Sequence, residues 1–455
     1  MNDSHGKQQA RVTRRQVLLG AAATAAAVGF PYVRTAHSAG QVTLGLWDHW
    51  VPGDNAVMQS LCEQWGKAHS VEVKIDFITS IGNKTLLTAA AEARAKTGHD
   101  IMDMPTWQPT IHRDSLEPVD KEIKYLADKY GPMSPDGEYL FKLDGTWVTL
   151  PAPSGGAHSY PMVSRLDYFK QYAGVDLRKI FPPNKNRDKA LVEAWNYDNF
   201  LKYAEKLHAG GHDFGNPIGP TSDSQDWLCP LFLSFGSMPA DKSGNITFDS
   251  DATRMAIEYM MKLTKFMPPD VYAWDDAGNN RWIISGKGAA IQNPPSAWTV
   301  AKRDQPKVAE QLWHHDVPRG PKGRFRGALP RGNGIWKFAK NKSAAKELLV
   351  WLLEKDQQFK LITASQGFDI PLFPAFNDHP IWSEIGPPVG GQYNYPVRGD
   401  EHLMVGGFPA PPAIGAQIYT QALIPNTVAK VTKEGKSINE SIKWAVSELE
   451  GYKRG

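Results

Sequence analysis

Reactive residue types are present in this chain, but not in the spacings that catalysis uses. No G-x-S-x-G turn presents a serine for attack, and no H-E-x-x-H pairs two histidines on a helix face for zinc. Gly286-Lys287-Gly288 lacks the upstream glycine and the following Ser or Thr of a phosphate-binding loop. No G-x-G-x-x-G follows the first strand, which removes the dinucleotide fingerprint. His314-His315-Asp316 is the best metal-like cluster, yet adjacent side chains project apart in any regular element, so a surface turn is expected. Asp275-Asp276 is read as a solvated turn rather than a Ca²⁺ site. No catalytic residue, metal ligand or cofactor is therefore assigned, and binding is a simpler account than catalysis.

Aromatic chemistry remains. The chain holds 15 Trp, 15 Tyr and 18 Phe, enough that some tryptophans fall outside pure core patterns. Trp47, Trp50, Trp107, Trp227 and Trp298 sit beside polar, loop-forming residues. A flat apolar ring next to hydrogen-bonding groups matches a carbohydrate, which shows a C–H face and a rim of hydroxyls.

The elements that must position such residues read as an α/β chain. Gln41 to Trp47 is a short buried strand, Ala56 to His69 has helical apolar spacing, and Val71 to Phe77 alternates with period two. Lys84 to Lys96 is an Ala-rich helix stopped at Gly98, and Asp100 to Met104 is a third strand ended by Pro105. Strand–helix–strand–helix–strand predicts a parallel sheet covered by helices. Further on, Asp249-Ser250-Asp251 starts a helix over 252–266, and Asn341 or Ser343 starts a long one through about Ser365. Ser437-Ile438-Asn439-Glu440 is a capping box for the last helix. Pro380 to Pro412, rich in Gly, Pro and Tyr, reads as a long structured loop.

Thr13-Arg14-Arg15-Gln16-Val17-Leu18-Leu19 is a twin-arginine pattern ahead of a weakly apolar run that ends at Phe30. Residues 1–39 are expected to be a removed export signal, leaving a soluble periplasmic protein. Without them the chain keeps 46 basic and 47 acidic residues, a net of −1, so the basic balance that would favour nucleic acid disappears. Some 416 residues exceed what one core organises, so two domains are expected. Cys62 and Cys229, 167 positions apart, read as two buried free thiols, although an exported protein permits a disulfide.

Three stretches carry a resemblance. An export signal precedes the strand ending at Trp47 and the helix ending Glu63-Gln64-Trp65. Trp282-Ile283-Ile284-Ser285-Gly286-Lys287-Gly288-Ala289-Ala290-Ile291, followed by Trp298, forms the second block. The third is Gly332-Asn333-Gly334-Ile335-Trp336-Lys337-Phe338-Ala339-Lys340-Asn341-Lys342, leading into the helix over 344–365. Together they resemble the extracellular solute-binding proteins of ABC importers, in the carbohydrate-binding group that includes maltose-binding protein.

That resemblance implies a type II two-lobe α/β fold, each lobe a mainly parallel sheet flanked by helices, joined by hinge strands. By analogy one lobe takes 40–151 and 327–373, and the other 152–326 and 374–455, which separates Cys62 from Cys229. In open α/β sheets ligands lie outside the carboxyl ends of strands. Those ends are Asp48, His49 and Trp50, then Ser80, then Thr106, Trp107 and Gln108. From the other lobe the resemblance adds Asp223, Gln225, Asp226 and Trp227, the loop from Asn293 to Trp298, and the late residues Arg398 and Phe408. Trp47, Trp107 and Trp298 each read either as ligand platform or as core, and Asp48 and Asp226 either as hydrogen-bond acceptor or as helix cap. The implied function is a monomeric substrate-binding component that captures a sugar, oligosaccharide or polyol and delivers it to a membrane permease. A non-sugar solute (polyamine, amino-acid derivative or organophosphate) and a twin-arginine-exported cofactor enzyme are the alternatives.

Overall fold

The computed structural model describes residues 40–182, 186–384 and 400–454. The expected export signal and Arg398 lie outside them. Among the described residues, no helix is long and apolar enough to cross a membrane.

The opening strand–helix alternation folds as its periodicity requires. β1 (Gly40–Trp47), α1 (Pro52–His69), β2 (Val71–Ile78), α2 (Lys84–Ala95) and β3 (Ile101–Pro105) follow in order. β1 pairs in parallel with β2, from Gly40 opposite Val71 to Trp47 opposite Ile78, and in parallel with β3 on its other side. After β3 the chain makes β4 (Leu150–Pro151), β5 (Ala157–Ser159) and β6 (Met162–Arg165). Then come α3 (Ser222–Phe235), α4 (Gly278–Ile284), β7 (Ala290–Gln292), α5 (Ser296–Asp304) and β8 (Leu312–His315). The closing elements are β9 (Arg324–Ile335), α6 (Lys342–Leu352), α7 (Lys355–Ala364), β10 (Glu401–Met404), α8 (Pro412–Thr420) and α9 (Ile438–Tyr452).

β9 is the organising strand. Its first four residues pair with β10, its middle with β5, and its last five run antiparallel to β3, with β4 alongside. It therefore joins two cores. One is built from residues between Val42 and Leu150 and between Ile335 and Trp382, with Val405 and Ala416 added. The other runs from Met162 to Val317 and from Met404 to Leu449. Cys62 belongs to the first and Cys229 to the second, and both are free and buried. At the crossing, Gly327 is obligatory in a steric sense: a Cβ there would lie 1.9 Å from the Asp226 carbonyl oxygen on α3.

Four expectations change. The second sheet, β8–β6–β7, is antiparallel throughout, and parallel pairing near it is confined to β10 on β9 and to bridges between Phe214 and Ala290 and between Asn196 and Arg319. The single helix over 344–365 is two helices, because Glu354 takes extended backbone angles (φ −70°, ψ 151°). Its carboxylate there accepts from Tyr125 at 2.8 Å. His314-His315-Asp316 is not a surface turn: the histidines end the buried strand β8 and all three residues are 0 % exposed. Burial holds both imidazoles well below their ordinary range, with His314 at about 3, so they sit there as neutral rings. The loop expected over 380–412 contains the strand β10, which backbone pairing to β9 and the buried Arg326–Glu401 ion pair hold in place. The capping box of the last helix forms as read, between Ser437 and Glu440.

Candidate ligand-binding site

Two cavities, of about 930 Å³ and about 510 Å³ including their open mouths, adjoin where the carboxyl ends of β1, β2 and β3 meet the start of α3. Ser80, Ser222, Asp276, Leu329 and Arg331 line both, so the two form one continuous cleft. Its walls come from both cores, with β9 running along the floor at Leu329 and Arg331.

Local structure aims the polar groups. Thr106 adopts a left-handed φ of 48° directly after β3, and its amide donates to the Pro330 carbonyl at 2.9 Å. That turn presents Thr106, Trp107 and Gln108 to the larger cavity. Thr221 caps α3 by accepting from the Ser224 amide at 3.2 Å, which faces Ser222, Asp223 and Gln225 toward the cleft. The Asp223 amide donates to Asp276 Oδ1 at 3.0 Å, pulling the turn before α4 against α3. Asn279 and Asn293 complete this wall: Asn279 Nδ2 donates to Asp223 Oδ2 at 2.7 Å and to Asn293 Oδ1 at 3.3 Å.

Electrostatics in the wall are set by burial. Desolvation holds the Asp223 and Asp226 carboxyls well above the usual carboxylate range, and neighbouring Asp276 adds to the rise at both. Tyr160 donates to Asp223 Oδ1 at 3.1 Å, and Tyr419 to Asp226 Oδ2 at 3.0 Å. Opposite them, Arg331 ion-pairs with Asp103 and stacks 4.5 Å from the centre of the Trp47 ring.

Of the residues singled out by sequence, Trp47, Trp50, Ser80, Thr106, Trp107 and Gln108 line the cleft from the first core's side, and Asp223, Gln225 and Asn293, with Pro294 and Ser296 of its loop, from the other. Trp107 does so without a free face. It is 1 % exposed, Tyr139 meets it edge-on at 5.4 Å, Gly415 packs on its ring, and its Nε1 donates to the Gly406 carbonyl at 2.8 Å. Half-buried Trp50 is the more available platform.

The rest lie elsewhere. Asp48 is exposed and accepts from Asn55 Nδ2 at 2.7 Å, which is turn chemistry. Asp226 is fully buried behind the wall, and Trp227 lies in the second core, donating to the Pro217 carbonyl at 2.8 Å. Trp298 fills a separate small core with Val163 and Ile291. Phe408 is 42 % exposed and touches Tyr139 rather than the cleft.

His49 forms a buried polar pin just behind Trp47 and Trp50. Its Nδ1 accepts from the Val51 amide at 2.8 Å, so the neutral ring carries its proton on Nε2, facing Asp369 at 3.2 Å. Burial pulls the imidazole pKa down, but Asp369 and Asp54 outweigh it and the net shift is upward. Desolvation pushes the Asp54 carboxyl up to about 7, against a hydrogen bond from Ser154. His49, Asp54 and Asp369 bring ligand-type atoms within 4.8 Å of one another, but the Nε2 proton stands where a cation would need a lone pair.

Sequence reasoning missed Asp276, Asn280, Arg331, Tyr160 and Tyr419. Asp276 carried a signal as half of an acidic pair. Arg331 directly precedes the Gly332–Lys342 block, whereas the two tyrosines had no sequence signal.

Residues 60–385 match the family described as bacterial extracellular solute-binding protein. The chain belongs to this family. No curated protein matches it in sequence. Among solved structures it is similar to maltose-bound MalE3 of T. maritima, at 19% identity, covering 90% of this chain and 99% of that one with a TM-score of 0.70. A sugar transporter from Arthrobacter chlorophenolicus A6 with bound laminaribiose shares 15% identity, 90% and 99% coverage and a TM-score of 0.70. A chitin oligosaccharide binding protein shares 14% identity, 91% and 99% coverage and the same TM-score. The fold is thus the two-lobe α/β fold of type II periplasmic binding proteins, and the family is one of binding proteins rather than enzymes.

Proposed function

We propose that this solute-binding protein captures a saccharide or polyol in the cleft between its two cores and passes it to the membrane permease of an ABC importer. The carrying observation is the chemistry of the continuous cleft. Half-buried Trp50 lines the same cavity as Asp276, Asn280, Asn293 and Ser222, so a sugar there can stack its C–H face and spend its hydroxyls on polar side chains. The solved structures with bound maltose and laminaribiose support this reading. Hydrogen bonds to charged groups contribute about 1.5–3 kcal/mol each, so a few of them with one stacked ring reach the ~8 kcal/mol of micromolar binding after ordering costs.

Ligand contact with both walls stabilises a closed arrangement by differential affinity. The lobes follow the expected 40–151 with 327–373 and 152–326 with 374–455, except that the first takes in residues up to Trp382: packing of Phe376, Ile381 and Trp382 in the first core supports a third crossing later than the expected one near Phe373. The protein works as a monomer outside the cytoplasm, carried there by the twin-arginine route, and binds no nucleic acid. Native mass spectrometry of protein purified from its own host tests the reading: a co-purified solute whose mass is that of a sugar or polyol supports it, and a stoichiometric redox cofactor contradicts it.

A further inference from the structure

Two carboxylates, Asp223 and Asp276, line one wall of the cleft, with that of Asp226 buried behind it, and no cation among the described residues pairs with them. Asp223, Asp226 and Asp276 are tied together through α3 and the turn before α4, and among the described residues none of them makes an ion pair with Lys, Arg or His. Arg331 is the one cationic side chain among the described residues lining the cleft, and it is already neutralised by Asp103. Burying carboxylates without a counter-charge is costly, so folding leaves this wall with an unmet demand for positive charge.

Both oxygens of Asp223 are engaged by Tyr160 and Asn279. Asp276 is different: Oδ1 accepts the Asp223 amide, Oδ2 has no partner among the described residues, and the residue faces both cavities. A second and independent sign of an absent ligand sits in the same cavity. Gln225 is 1 % exposed, and its Nε2 donor is buried with no hydrogen-bond partner. A buried unpartnered donor and an open carboxylate oxygen on the same cavity suit a ligand that brings a hydroxyl oxygen and a cation together.

Building on the sugar reading above, we propose that the saccharide recognised here carries an ammonium group, seated against Asp276 Oδ2, with a neighbouring hydroxyl accepting from Gln225 Nε2. The aromatic rings of Trp50 and Tyr160 on the smaller cavity add cation–π attraction to the carboxylate field. Positive charge at this position favours the ionised forms of Asp223 and Asp226, which burial disfavours in the empty cleft, so binding releases protons.

The test is calorimetry on the full-length exported protein with a panel of hexosamines and their disaccharides. Each is matched to its N-acetylated and its neutral hydroxyl counterpart, and each is measured in two buffers of different ionisation enthalpy. At least one ammonium form is expected to bind tenfold or more tighter than both counterparts, with proton release, and Asp276→Asn is expected to abolish that preference. If neutral or N-acetylated members bind and no ammonium form binds better, the ammonium inference is overturned and the sugar reading stands. A preference that survives Asp276→Asn overturns the assignment to this carboxylate. If no member of any set binds, this inference is overturned, and the sugar reading is decided separately by a broader panel of sugars and polyols.

Discussion

The guanidinium of Arg331 stacks 4.5 Å from the centre of the Trp47 ring. The same group pairs with Asp103, joining β9 to β3 on the floor of the cleft, with 6 % and 2 % of the two side chains exposed. A pair this buried is weak evidence of net stability, but removing one partner strands the other. Arg331→Ala should therefore cost about 3–5 kcal/mol by urea denaturation and also weaken ligand binding. Adding Asp103→Asn should recover a large part of the stability and none of the affinity. A purely additive double mutant would show that the two residues do not act as a pair.

Trp50 and Trp227 separate binding from folding. Trp50→Ala should lower saccharide affinity at least tenfold with a melting temperature near the wild type. Trp227→Ala empties the second core and should cost about 3–5 kcal/mol, while the protein that remains folded keeps its affinity. Calorimetry and denaturation on both variants check this, and the reverse pattern would move the site away from Trp50.

Gly327 meets α3 where β9 passes between the cores. With an added Cβ only 1.9 Å from a backbone oxygen, Gly327→Ala must push the strand and helix apart. A loss of about 1–3 kcal/mol or more is expected in chemical denaturation. An unchanged midpoint would mean that this contact is not close in solution.

How much of this was legible in sequence depends on the range of the interactions. β1, α1, β2, α2 and β3 were readable because their periodicity is local, and so was the Ser437–Glu440 cap. The strand β10 was not readable, since its pairing partner lies more than 70 positions earlier in β9. At the site, strand ends predicted Ser80, Thr106 and Gln108, while Asp276 and Arg331 reach the cleft only through tertiary contacts. Tryptophans misled in the other direction: Trp227 and Trp298 have polar sequence neighbours, but burial is decided by partners outside that neighbourhood, Phe214 for the first and the far-off Val163 for the second.

The contribution of two buried carboxyls to stability should fall as pH rises from about 4 to beyond 7, against an opposite contribution from the buried neutral His314 and His315, which is lost as pH drops below 6.5. Burial lifts the Asp54 carboxyl from the ordinary 3.8 to about 7, and Glu401 likewise to about 7, so the folded state holds protons that the unfolded chain has released. The upward shift of His49 has the same sign: its contribution is complete below the unfolded value of 6.5 and is lost as pH climbs through the folded one. Melting temperatures taken between pH 4 and pH 8 should show the wild type losing stability relative to Asp54→Asn as pH rises. Equal slopes would remove Asp54 from the cause.

The central claim is that the cleft lined by Trp50, Ser80, Asp276 and Arg331 holds one saccharide or polyol non-covalently. Titration calorimetry against a broad panel of mono- and oligosaccharides, polyols and amino sugars tests it most directly. The account predicts one-to-one binding of at least one member at about micromolar affinity, with no turnover of it. Absence of any binding below about millimolar across the whole panel would contradict it.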